Sequence, residues 1–134
     1  MFLNYLKENQ KVLFLILAEE LIKADDKVLL EEKELFCSLQ KEMDVSEYIP
    51  GKKISFEELD LSVFDTNESR NTVVLELVAL AYVDENFSKE EKVFIKKVMK
   101  EFLIPEKEIK IFEKWVLKQK SLYEEASLII TSNW

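Results

Sequence analysis

The chain has 134 residues, 48% hydrophobic and 34% charged, with a formal net charge of −8. That length and balance suit a single folded domain with a real core rather than a disordered chain. With no histidine and one cysteine, Cys37, the sequence excludes Ser-His and Cys-His catalysis, histidine or thiolate-cluster metal sites and an internal disulfide; the lone Gly51 excludes a phosphate-cradling loop.

One Gly and two Pro leave little material for hairpin turns and favour helices. Residues 2–24 are rich in apolar helix formers and predict a short and a longer helix meeting near Asn9. "VLFLILA", residues 12–18, is too short to span a bilayer, so no membrane insertion and a cytoplasmic location are expected. "DDKVL" interrupts the pattern, which resumes over 30–43 through Leu35, Leu39 and Met43, with Cys37 expected as a small buried hydrophobe among them. "IPGKK" at 49–53 is a turn, because Pro-Gly suits the centre of a type II turn.

"SFEEL" then predicts a short helix with Ser55 and Glu58 as its capping box. "DTNES" predicts another start, Asp65 with Glu68, leading into "RNTVVLELVALAYV". "DENF" ends that helix and "SKEE" restarts the chain at Ser88. Pro105 fits the first turn of a last long helix, whose apolar positions recur at Ile109, Phe112, Val116, Tyr123, Ala126 and Ile130. No stretch alternates with period two, so the expected fold is all-α, a compact bundle of about six or seven helices.

Two segments repeat. "IKADDKVLLEEKELFCSLQKEM", residues 22–43, aligns without a gap on "AYVDENFSKEEKVFIKKVMKEF", residues 81–102, after a shift of 59. Asp25 falls on Asp84, Glu32 on Glu91, and Leu35, Phe36 and Leu39 on Phe94, Ile95 and Val98. Two copies predict an internal duplication of a helix–acidic elbow–helix unit, covering about 12–45 and 71–104, rather than a solenoid. Within each elbow the Asp ends one helix and the Glu opens the next. Paired carboxylates with freed carbonyls make a hard-oxygen site suited to Ca²⁺, Mg²⁺ or Mn²⁺, and Asp25, Glu32, Asp84 and Glu91 are the candidate ligands. The site is not an EF-hand, because Lys89 and Ile95 occupy the positions of its required Gly and Glu. A second reading stands beside the first: Ser88-x-x-Glu91 is a capping box, and these acids serve helix starts.

Charge is uneven along the chain. Residues 1–86 hold 19 acids against 9 bases, whereas residues 87–120 hold 10 Lys against 6 acids. The acidic whole argues against nucleic acid as a partner. Lys107, Lys110, Lys114 and Lys118 fall broadly on one side of the last helix and form a candidate docking row for an acidic protein partner. The apolar end "IITSNW", closing on Trp134, either packs on its own bundle or meets a partner.

An apolar helix, then A-x-x-D, an apolar residue three after the Asp and a Glu seven after it, resembles the TerB-like (tellurite-resistance) family. "LAYVDENFSKEEKVFIKKVMKEFLI", residues 80–104, is the better match and "ELIKADDKVLLEEKELFCSLQKEMDV", residues 20–45, the second. The resemblance implies a compact helical bundle and a non-enzymatic adaptor of bacterial stress responses that binds divalent cations through such acids. By position, those acids are Asp25, Glu32, Asp84 and Glu91. The chain departs from the family where Gly usually follows each Asp; here Asp26 and Glu85 stand instead. The alternative expectation is a pure protein-interaction subunit whose elbows only cap helices.

Overall fold

The computed structural model describes residues 2–24, 34, 37, 38, 40, 41, 55–83 and 87–134. Four α-helices have described bounds, α1 (Glu8–Lys23), α2 (Asn67–Ala81), α3 (Lys89–Glu101) and α4 (Ile109–Thr131); Glu34, Cys37, Ser38, Gln40 and Lys41 are also helical, and no strand occurs among the described residues. The protein is all-α. The helices with described bounds are fewer than the six or seven expected, because the two predicted short helices are single 3₁₀ turns, at Leu3–Tyr5 and Phe56–Glu58; further 3₁₀ turns stand at Leu61–Val63 and Glu106–Glu108. No described helix is long and apolar enough to cross a membrane.

The centre of the bundle is α2, which packs against α1, α3, α4 and the Leu3–Tyr5 turn. Its sequence explains that position. Val73, Val74, Leu77, Val78, Leu80 and Ala81 are buried, and a helix that is apolar on most sides must be surrounded. By contrast, α3 is amphipathic: Ile95, Val98 and Met99 are buried while Lys89, Lys97 and Lys100 face water. Phe14, Leu15, Leu17, Ala18 and Leu21 of α1 complete the core from the other side.

Polar side chains fasten the connections. Gln10 is buried at the start of α1; its Oε1 accepts the Lys7 backbone N–H (2.8 Å) and its Nε2 donates to the Val63 carbonyl (2.8 Å). Glu76, buried on α2, accepts the Phe2 backbone N–H at 2.7 Å and so ties the N-terminal turn to the bundle. Arg70 Nε donates to the Phe64 carbonyl at 2.8 Å.

Helix starts correct two expectations. Helix α2 is capped by Thr66 with Ser69, not by Asp65 with Glu68: the Thr66 hydroxyl accepts the Ser69 N–H (3.0 Å) and Ser69 Oγ accepts the Thr66 N–H (3.2 Å). Asp65 is engaged elsewhere, with Gln10 Nε2 at 3.5 Å and Lys7 Nζ at 3.9 Å. Ser55 caps nothing with its side chain, since the element after it is only the Phe56–Glu58 turn. Cys37 is also corrected: its thiol-bearing residue is exposed rather than buried.

The end of α3 carries a strained residue. Leu103 has φ of 59°, the left-handed region that favours glycine. Its N–H donates to the Lys100 carbonyl (3.1 Å) and the Ile104 N–H reaches back to the Met99 carbonyl (2.9 Å). Those two bonds are a Schellman termination, which normally places Gly where Leu103 stands. Leu103 is 89% exposed, so no packing by its side chain compensates.

Candidate functional site

The acidic elbow between α2 and α3 comes first. Asp25, Glu32 and Asp84 lie outside the described residues, as do Asp26 and Glu85. Glu91 is described, and is 3% exposed. Its Oε1 accepts the Ser88 backbone N–H at 3.1 Å, and its own N–H donates to Ser88 Oγ at 3.1 Å. This is the reciprocal capping box that S-K-E-E predicts. Among the described residues no group of three or more Asp, Glu, His or Cys is placed to hold a metal ion.

Around the elbow sits a second arrangement that helical periodicity did not reveal. The Tyr82 and Phe87 rings meet edge to face, with centroids 4.9 Å apart, across the ends of α2 and α3. Lys92 lies 5.2 Å above the Phe87 ring and 3.4 Å from Glu113 Oε1 on α4. That Glu113 oxygen is buried and makes no aligned hydrogen bond, so the Lys92 ammonium acts on it as a neighbouring charge. Burial raises the Tyr82 phenol above its ordinary pKa, and the Glu113 carboxylate adds to the shift. Lys120 Nζ donates to the Tyr82 carbonyl at 3.4 Å, closing the C-terminal end of α2. These contacts pin three helices at one corner. A shallow cavity of about 250 Å³ beside them is lined by Tyr82, Leu117, Lys120, Ser121 and Glu124.

The long helix α4 is the other candidate. Its Ile109 and Val116 are buried and Phe112 packs against the core, so the apolar stripe read from sequence begins as a core face. Beyond Lys120 every residue to the C-terminus is exposed. Tyr123, Ala126 and Ile130 continue the stripe without covering, and Leu122, Leu128 and Ile129 are exposed with them. Trp134 is 96% exposed and packs on none of the described residues. Lys107, Lys110, Lys114 and Lys118 are all exposed. Periodicity identified the stripe but carried no information on what covers it.

Comparison with protein-family models, with curated proteins and with solved structures found no match.

Proposed function

We propose that this chain is a non-enzymatic adaptor of the TerB-like kind, a single domain that docks other proteins through α4, with its elbow acids serving as helix caps. The observation that supports the reading is the uncovered apolar half of α4. Contiguous exposed apolar surface on a protein of this size is the usual mark of an interaction site. Lys110, Lys114 and Lys118 along the same helix, with Lys107 in the turn before it, supply a charged margin, which speeds encounter and selects an acidic partner. The Ser88–Glu91 box supports the capping role at the second elbow. By the gapless repeat, residues 12–45 form the same helix–elbow–helix unit as 71–104, and the domain is a duplicated bundle.

Affinity capture from the native host tests this reading with three baits: wild type, Leu122→Glu with Ile129→Glu, and Lys107→Glu with Lys110→Glu and Lys114→Glu. The expected result is a foreign protein retained by wild type, lost from the apolar variant, and weakened in the Lys variant, more so in low salt. Identical captured proteins on all three baits would overturn docking through α4.

A further inference from the structure

Two features have no part in the docking reading, the cavity of about 370 Å³ between the N-terminal turn and α2, lined by Phe2, Tyr5, Leu75 and Phe112 among others, and the exposed Cys37; the apolar stripe of α4 has a docking role but no assigned occupant. The stripe carries an inference because its charged flank fits one particular occupant. Trp115, Leu122 and Ile129 are exposed, stand seven residues apart, and share a narrow face of the helix with Ala126. Three residues after the first two come Lys118 and Glu125, both exposed, on the same flank and opposite in sign.

We propose that the apolar stripe of α4 binds a second copy of this chain, as an antiparallel helix pair centred on Leu122. This deepens the adaptor reading and rests on its assignment of α4 as the docking element. A copy running in the opposite direction, Leu122 against Leu122, brings Trp115 of each chain beside Ile129 of the other. Within about one residue of rise, ~1.5 Å, the same alignment sets Lys118 of each chain against Glu125 of the other, twice by symmetry. A parallel pair would instead place this flank on opposite sides of the seam, where Lys118 and Glu125 of one chain face Tyr123 and Ile130 of the other and meet no opposite charge. Charge complementarity therefore selects the antiparallel copy.

Room for the pairing exists. From Ser121 to Thr131, a length of roughly 16 Å, every residue of the helix is exposed, so the two bundles lie at opposite ends of the pair. The end of each helix then rests against the other chain near Trp115, whose ring stands 5.6 Å from that of Phe2. An interface of two such segments falls at the small end of specific interfaces, on the order of 1,000 Å², so the pair exchanges with monomer.

Sedimentation equilibrium of the purified chain between about 1 μM and about 1 mM, where interfaces of this size dissociate, tests the proposal. Wild type is expected to pass from monomer to dimer. Leu122→Glu, whose side chain is exposed and whose helicity circular dichroism checks, is expected to stay monomeric. Lys118→Glu and Glu125→Lys are each expected to weaken the dimer roughly tenfold, and an equimolar mixture of the two to restore it, because the mixed pair again opposes unlike charges. Wild type that is monomeric throughout overturns the proposal, as does a mixture no tighter than either variant alone. Failure here leaves capture of a foreign protein untouched. Conversely, a dimer that forms while no foreign partner depends on α4 sinks the adaptor reading alone.

Discussion

The Ser88 hydroxyl and the Glu91 carboxylate each accept the other residue's backbone N–H, both at 3.1 Å, at the first turn of α3. Glu91 is thereby given a structural task at the position where a cation ligand was expected. Ser88→Ala should lower unfolding stability by about 1 kcal/mol, the usual cost of a lost N-cap, measured by urea denaturation. An unchanged midpoint would contradict the capping role.

Calcium separates capping from cation binding. A divalent site of ~1 mM affinity would add about 1.4 kcal/mol of stability at ~10 mM calcium. The capping account expects the melting curve in calcium to coincide with one in NaCl of matched ionic strength. A rise of several degrees, abolished by Asp84→Asn with Glu91→Gln, would instead assign the elbow to a cation.

How far the sequence could be read depended on whether neighbouring residues competed for one task. Ser88 had no rival, so S-x-x-E located the start of α3 correctly. Asp65 and Thr66 are adjacent cap formers, and the choice fell to Thr66 because Asp65 faces Gln10 and Lys7 from a distant part of the chain. Gln10 and Glu76 are polar residues buried by their own hydrogen bonds, which no hydrophobic pattern reports. The stripe from Ile109 to Ile130 was visible as one periodic face, yet only the tertiary structure divides it into a covered half and an open half. The first elbow lies outside the described residues, and at the second Glu91 and Ser88 are the legible part.

Leu103 offers a stabilising substitution. Its left-handed backbone costs roughly 1–2 kcal/mol in a residue with a Cβ, offset in part by the larger unfolded-state entropy of glycine. Leu103→Gly is expected to raise stability by about 0.5–1 kcal/mol, since the exposed side chain contributes no packing. A loss of stability would show that Leu103 makes contacts worth more than its strain.

The corner where three helices meet predicts an alkaline dependence. A phenol whose folded pKa lies above its unfolded value keeps its proton longer in the folded state. Its contribution is fully present below the ordinary value of about 10 and is lost as pH rises through the folded pKa. Stability should therefore fall above about pH 10, and fall less steeply in Tyr82→Phe. The difference in phenolate absorbance between wild type and variant should show one phenol titrating above the ordinary range; a midpoint at or below it would contradict the partly buried placement of Tyr82.

Amide hydrogen exchange along α4, resolved by residue at a dilution where the protein sediments as monomer, bears most directly on the claim that this helix is an uncovered docking element. Amides near Phe112 and Val116, which pack on the core, are expected to be protected like those of α2. From Leu122 to Thr131 protection should drop sharply, and should return when a partner or a second copy binds. Uniform strong protection to the end of α4 in the free monomer would mean that the chain already covers its own stripe, and would contradict the account.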